Sequence, residues 1–295
     1  MTSDSAKPTS LRYRVVDVFT QTALEGNPLA VFPNAKGLSS ELMQRIAREL
    51  NLSETVFIEP TGLADCAVAL RIFTPVREML FAGHPTVGAS YVAMQEGLVP
   101  EDSETFAVEE KIGVIPIRVE RGASPRIWLT TPPIQYDRRC DAKTCAEALG
   151  LRLEDLLEVQ PQILSAGNPN LFIAVRGKGA VDRAWLDSNE LRKLQAEGEA
   201  PFCVFVFTPT EGGAYSRMFA PDHGVPEDPA TGSATGPLGA FMRDHRLLPR
   251  GGEGTFVSEQ GTKMGRRSLL YFELQGERIS VGGYVTPVIE AVLTF

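Results

Sequence analysis

Three titratable side chains in this 295-residue sequence stand where proton transfer could occur. Glu54, in "NLSETVFI", directly precedes an apolar run and is flanked by the hydroxyls of Ser53 and Thr55. A carboxyl group at the mouth of a strand, against an apolar wall, is desolvated, and its pKa rises toward the range of a general acid or base. His84, in "FAGHPT", is pinned between Gly83 and Pro85, and Asp228, in "PEDPATGSATG", enters a run of Gly, Ser and Ala. Each also has a plainer reading: an acid on an edge strand, a turn residue, a helix cap.

His84 and Asp228 lie in two passages that echo each other, "RIFTPVREMLFAGHPTVGAS" (71–90) and "RMFAPDHGVPEDPATGSATG" (217–236). In each, a strand runs into a loop and a helix led by Thr leaves it. Small residues in the first turns leave the N-terminal amides uncovered. Those amides are unpaired donors at the positive end of the helix dipole, which makes such an end a site for an anion. Two of them facing each other would clamp a small acid. The echo extends further: Asn27-Pro28 matches Asn168-Pro169, Arg71-x-Phe73-x-Pro75 matches Arg217-x-Phe219-x-Pro221, and Thr86-x-x-Ala89 matches Thr231-x-x-Ala234. The offsets are 141, 146 and 145 residues. A period this long indicates two domains of similar fold, with a boundary near 125–130, and not a solenoid of short repeats.

Other chemistries lack their residues. The sequence has no C-x-x-C, H-x-H or H-E-x-x-H, so no metal site is expected, and it has no phosphate loop, dinucleotide fingerprint or G-x-S-x-G elbow. With 29 Lys+Arg against 37 Asp+Glu, and Lys263, Arg266 and Arg267 as the only tight basic group, nucleic acid is not an expected partner. That basic group reads as a solvated hairpin tip. No stretch approaches the ~20 apolar residues of a membrane helix, nor does the start resemble a signal peptide, so a cytoplasmic location with no membrane partner is expected. The four cysteines, Cys66, Cys140, Cys145 and Cys203, read as reduced thiols.

The elements that must position these groups alternate strands with few helices. Residues 1–10 are polar and expected to fray. Strands are expected at 13–20 and 29–33, in "TVFIEP", "CAVALRIF", "VIPIRVE" and "RIWLTTPP", and at 167–175 and 201–209. Helices are expected at 39–50, capped by Ser39 or Ser40, as one or two short pieces in 140–157, and at 182–198 with Asp187 or Ser188 as a start signal. The end, from Ser268, reads as three strands separated by turns.

Taken together, "VDVFTQTALEGNPLAVF", "ELNLSETVFI" and the two echoing passages, with a weaker "EQGTKMGRRS", resemble the PhzF-like isomerases of phenazine biosynthesis. The resemblance runs from residue 16 to 268. It implies an α+β, diaminopimelate-epimerase-like fold of two similar domains, each a curved, mostly antiparallel sheet around a central helix. The domains would span 11–127 with the last strand, about 286–295, and 128–285, and the active site would lie between them. It also implies a cofactor-free, usually homodimeric enzyme. Glu54 would shuttle the proton, His84 and Asp228 would orient the substrate and tune Glu54, and Gly83, Thr86, Gly232 and Ser233 would line the helix ends that hold it. Epimerases of this fold use two opposed cysteines at the helix mouths. Here Ala82 and Ala230 stand near those places, and the four cysteines read as lying elsewhere.

The expected activity is therefore a proton transfer with a double-bond shift on a small cyclic carboxylic acid, similar to isomerisation of trans-2,3-dihydro-3-hydroxyanthranilate. Two alternatives are a carboxylate-based epimerase or racemase working through Glu54 and Asp228 on opposite faces, and a non-catalytic carboxylate-binding protein.

Overall fold

The computed structural model describes residues 10–195 and 201–295. The polar start expected at residues 1–10 therefore lies, but for Ser10, outside the described residues. The first part of the chain forms β1 (Ser10–Val18), β2 (Asn27–Phe32), α1 (Ser40–Leu50), β3 (Glu54–Glu59), β4 (Val68–Phe73), α2 (Gly83–Gln95), β5 (Thr105–Glu110), β6 (Gly113–Glu120) and β7 (Arg126–Thr130). It continues with β8 (Gln135–Arg139), α3 (Ala142–Ala148), β9 (Gln162–Ser165), β10 (Pro169–Ala174), α4 (Lys178–Arg183), α5 (Ser188–Leu194), β11 (Cys203–Thr210), β12 (Gly213–Ala220) and β13 (Val225–Asp228). It ends with α6 (Gly232–Asp244), β14 (Gly254–Gln260), β15 (Ser268–Gln275), β16 (Arg278–Gly283) and β17 (Val285–Thr294).

Strand pairing repeats itself. From β17 through β1, β2, β3, β4, β5 and β6 to β7, the pairs run antiparallel, antiparallel, parallel, antiparallel, parallel, antiparallel, antiparallel. From β8 through β9, β10, β11, β12, β14 and β15 to β16, the senses follow in the same order. The two runs meet where β7 pairs antiparallel with β16. The last strand closes back onto the first, with Val285 opposite Val18 and Thr294 opposite Ser10.

Each run wraps one helix. α2 packs on β1, β2, β3, β4 and β7, and α6 packs on β9, β10, β15 and β16. Helices of this kind carry no polar face: α6 is buried from Gly232 to Met242, and α2 from Gly83 to Ser90. Small residues let the sheet close around them. Phe172, Phe205, Phe207 and Phe241 fill the space around α6, while Val16, Leu29, Val87 and Val92 fill that around α2, in one continuous core.

The amphipathic helix expected at 39–50 is α1. Ser39 accepts from the Leu42 amide, and Asn51 ends the helix in the left-handed region at φ 50°. The single helix expected over 182–198 is instead two, α4 and α5, and residues 196–198 lie outside the described residues. Between the two helices the chain leaves the helical path because Trp185 and Asp187 donate their amides to Leu149 O and Ala148 O. Asp187 is the cap of the second piece, accepting from Asn189 N at 2.7 Å. The basic group at 263–267 is also more than a solvated tip. Arg266 bonds Asp17 Oδ1 at 2.6 Å and the carbonyls of Glu25 and Gly26, tying the β14–β15 connection to the β1–β2 turn.

Candidate active site

The repeated Arg-x-Phe motif has a structural purpose. Arg71 lies 5.3 Å over the Phe73 ring and pairs with Glu78 at 2.8 Å, while Arg217 lies 4.8 Å over Phe219 and pairs with Glu227 at 2.8 Å. Each pair holds the returning loop against the strand that launched it. The next residue in the loop is Met79 in one half and Asp228 in the other. The fold thus presents equivalent positions to the centre, and the sequence places an acid at one of them.

Helices α2 and α6 meet head to head at this centre. A Cβ added to Gly83 would stand 2.3 Å from the carbonyl carbon of Gly232, and one added to Gly232 would stand 2.9 Å from the backbone of Gly83. No side chain caps either helix: Ala82 and Thr231 occupy the cap positions without accepting an amide. Two positive helix ends therefore converge on one small space, which favours an anion there.

This start corrects the Thr-led register expected for the helices. Both begin at glycine, so Gly83 corresponds to Gly232 and Thr86 to Thr235, one turn later than the Thr86–Thr231 match. The equivalent hydroxyls make the same bond: Thr86 Oγ1 donates to Ala82 O at 2.6 Å, and Thr235 Oγ1 donates to Thr231 O at 3.0 Å. Thr86 is consequently not a wall of the cavity. Its hydroxyl is committed to Ala82 and to the buried Glu110.

Glu54, the first residue of β3, His84, in the first turn of α2, and Asp228, at the end of β13, all line one cavity of about 40 Å³ beside Gly83, Gly232 and Ser233. That space holds roughly two or three waters. Met79, Met218, Val225 and Ala220 form its apolar side. A larger groove of about 640 Å³ runs past Arg12, Asn34, Glu59 and Glu96 on the outside of the first sheet. There Arg12 is paired with Glu96, and no convergent acid and base is present among the described residues.

Asp228 is the most heavily bonded of the three. Its Oδ1 accepts from Asn27 Nδ2 at 2.8 Å, its Oδ2 accepts from Thr231 Oγ1 at 2.5 Å, and the Ser53 hydroxyl also donates to it. Gln260 braces the loop by donating to Asp228 O at 2.7 Å. Burial pushes the Asp228 pKa up to about 6, against these hydrogen bonds, which hold it down.

Asn27 is the site residue that sequence reasoning did not single out. Besides Asp228, its amide reaches Ala230 O at 3.0 Å and His84 Nδ1 at 3.2 Å. Its counterpart Asn168 crosses the other way, donating to Phe81 O at 2.9 Å. The doubled Asn-Pro was the available signal: the two amides tie each half to the loop before the other half's helix.

The Asn27 NH2 facing Nδ1 cannot accept a hydrogen bond, so the proton of the neutral His84 ring is assigned to Nε2. Burial lowers the His84 pKa to about 3, so the ring is neutral. Its Nε2 lies 3.3 Å from Glu54 Oε2, but the two are not aligned for a hydrogen bond, and both atoms have no partner among the described residues. Burial first, then the Asp228 charge, raises the Glu54 pKa well above the ordinary carboxylate range. The centre therefore pairs a Glu54 carboxyl that holds its proton more tightly than an ordinary carboxylate with a hydrogen-bonded Asp228 and a neutral imidazole.

Cys203 corrects the expectation that every cysteine lies elsewhere. It starts β11 opposite Asn170, as Glu54 starts β3 opposite Leu29, and it lines the cavity. Burial beside Asp228 pushes its pKa up to about 12, so it stays a thiol and supplies no thiolate.

The phenazine biosynthesis-like protein family model, PhzC-PhzF, matches residues 16–291. Among curated proteins, the chain is similar to trans-2,3-dihydro-3-hydroxyanthranilate isomerase of Pseudomonas aeruginosa, at 34% identity over 91% of this chain and 93% of the relative. It is 37% identical to an uncharacterized isomerase of Mesorhizobium japonicum, over 95% of this chain and 98% of that one. Among solved structures, the Bacillus anthracis phenazine biosynthesis protein of the PhzF family has the same fold, with a TM-score of 0.85 at 24% identity, covering 97% of this chain and 100% of that one.

Proposed function

The chain belongs to the PhzC-PhzF, phenazine biosynthesis-like, family, and we propose that it is a cofactor-independent isomerase moving a proton, with a double-bond shift, on a small cyclic carboxylic acid. The observation that carries this reading is Glu54: a carboxyl of raised pKa, 3.3 Å from a neutral imidazole, in a cavity between two uncapped helix ends.

The substrate carboxylate binds at the amides of Gly83, Gly232 and Ser233, where both helix dipoles attract it. Glu54, as carboxylate, takes a proton from one carbon; the C–H electrons become the new double bond, and the old one moves along. Glu54, now the acid, returns the proton at the far end of the shifted system. His84 presents its Nε2 proton 3.3 Å from Glu54 Oε2, where a small turn of either side chain lets it donate once Glu54 is ionised. Asp228, clamped by Asn27, Ser53 and Thr231, stays negative and raises the proton affinity of Glu54. Such a shuttle contributes on the order of 10²–10⁴ in rate, and orientation in the closed cavity supplies the rest. The ring requires a wider opening than 40 Å³, so the two halves separate to admit it.

The same reading takes residues 11–127 with the last strand, and 128–285, as two domains, supported by the repeated strand order. It also takes the protein as a cytoplasmic homodimer. Exposed Val292 on β17, which among the described residues pairs with β1, supplies apolar surface for a second copy.

The test is incubation in D₂O with trans-2,3-dihydro-3-hydroxyanthranilate and a panel of small cyclic and amino carboxylates, followed by NMR. The expected result is deuterium uptake with a moved double bond in wild type and none in Glu54→Gln. Uptake at a stereocentre without a shift would indicate an epimerase. Binding without exchange would leave only a carboxylate-binding protein, and exchange surviving in Glu54→Gln would remove Glu54 from the mechanism.

A further inference from the structure

Asn170 is not used by the proton-transfer set. It lies on β10 in the otherwise apolar run "PNLFIA" and is 1% exposed. In the first half the corresponding place on β2 is held by Leu29, which faces Glu54 across the parallel pair as Asn170 faces Cys203. An apolar side chain therefore satisfies the fold at this position, and packing alone does not call for an amide.

One end of that amide is explained. Asn170 Nδ2 donates to Asn168 O at 2.8 Å. The other end is not: Oδ1 is fully shielded and has no hydrogen-bond partner among the described residues. The amide cannot be reversed without turning its oxygen against the Asn168 carbonyl, so the atom left over is an acceptor. Leaving such an acceptor buried and unpaired is destabilising, because it has given up its bond to water without gaining another. Asn170 lines the same cavity as Glu54, His84 and Asp228. Both Asp228 oxygens are already occupied, by Asn27 and Thr231.

We propose that Asn170 is a specificity-determining residue, its Oδ1 accepting a hydrogen bond from an amino or hydroxyl group carried on the substrate's carbon frame. This rests on the carboxylate being held at the helix ends, which turns the substrate's substituents toward β10. A site built to bond a donor discriminates against the analogue lacking it, because the buried acceptor then stays unpaired. A carboxylic acid without a donor would leave Asn170 as it is now.

The experiment is calorimetric titration of wild type and Asn170→Leu with benzoate, 2-aminobenzoate, 3-aminobenzoate, 2-hydroxybenzoate and 3-hydroxybenzoate. At least one donor-bearing member is expected to bind wild type about tenfold more tightly than benzoate. In Asn170→Leu that advantage disappears while benzoate affinity is kept. Should Asn170→Leu fail to fold, Asn170→Ala, which only removes atoms, makes the same comparison. Equal binding of all five by wild type, or discrimination that survives both substitutions, overturns the role of Asn170 and leaves the carboxylate site standing. Failure of wild type to bind any of the five overturns the carboxylate site itself, and the role of Asn170 with it.

Discussion

Gly83 and Gly232 bring the first turns of α2 and α6 into backbone contact, so close that a methyl group on Gly83 would stand 2.3 Å from the Gly232 carbonyl carbon and 2.5 Å from the Ser233 nitrogen. Nothing there is a flexible side-chain end that could move aside. Gly83→Ala must push the two helices apart, and overpacking of this kind costs about 1–3 kcal/mol. The expected outcome is a lower urea midpoint together with loss of activity, because the amides that hold the substrate's carboxylate are displaced. A variant as stable and as active as wild type would mean the contact yields without consequence.

Asn27 offers a second test, because one side chain touches Asp228, Ala230 and His84. Asn27→Leu keeps the volume and removes the donors. A lost hydrogen bond to a charged group is worth about 2 kcal/mol, which amounts to roughly 30-fold in rate if it is expressed wholly in the transition state. The measurement is kcat against KM: kcat is expected to fall with KM little changed, since Asn27 holds the Asp228 and His84 side chains and does not line the cavity. A change confined to KM would place Asn27 on the substrate instead.

Why was Asn27 not legible as part of the candidate site, when the sequence pointed to Glu54, His84 and Asp228? The three acid-base candidates carry local signals: an acid before an apolar run, a histidine in a Gly-Pro frame, an acid before a run of tiny residues. Asn27 acts on partners 57 and 201 residues away, and no local pattern encodes such a pairing. The same holds for Cys203, whose place beside Asp228 comes from strand order, and for Arg266, bonded to an aspartate 249 residues away. The duplication could be read because Arg-x-Phe-x-Pro has a rigid structural task in both copies. Its helix register slipped by one turn because threonines among small residues recur with that spacing in the second copy. The β-rich, helix-poor architecture followed from short apolar runs broken by turns, whereas β5 and β9, short and weakly patterned, draw their stability from neighbouring strands.

The acidic limb of the activity profile tests the coupling of Glu54 to Asp228. Glu54 must be ionised to take the proton, and burial and Asp228 both raise its pKa. Activity is therefore expected to rise with pH through a limb well above the ordinary carboxylate range. Asp228→Asn removes the neighbouring negative charge, which makes Glu54 easier to ionise, so the limb moves to lower pH even as the rate at the optimum falls. His84, held neutral with its pKa near 3 by burial, contributes no limb between pH 5 and 8. A limb that stays in place or moves upward in Asp228→Asn would show that Asp228 does not act on Glu54 through its charge.

Glu110 lies behind the first turn of α2, where Thr86 spends its single hydroxyl proton on Ala82 O. The close contact between Thr86 Oγ1 and Glu110 Oε1 therefore requires the carboxyl to donate, and burial pushes its pKa up to about 8. In an unfolded chain the same group titrates at about 4.3. Between those values the folded state keeps a proton that the unfolded state has lost. The stability from this group is accordingly full below about pH 4.3 and is lost as pH rises through about 8, by at most about 1.4 kcal/mol per pH unit. Glu110→Gln keeps a donor at that position and removes the titration. Melting curves from pH 5 to 9 should fall less steeply for the variant than for wild type, and above pH 8 the variant should be the more stable of the two. Glu54 and Asp228 titrate in the same direction but are present in both proteins, so the difference between the two curves isolates Glu110. Parallel curves would mean that Glu110 is already ionised in the folded protein, and the donor would then have to be Thr86, leaving Ala82 O without it.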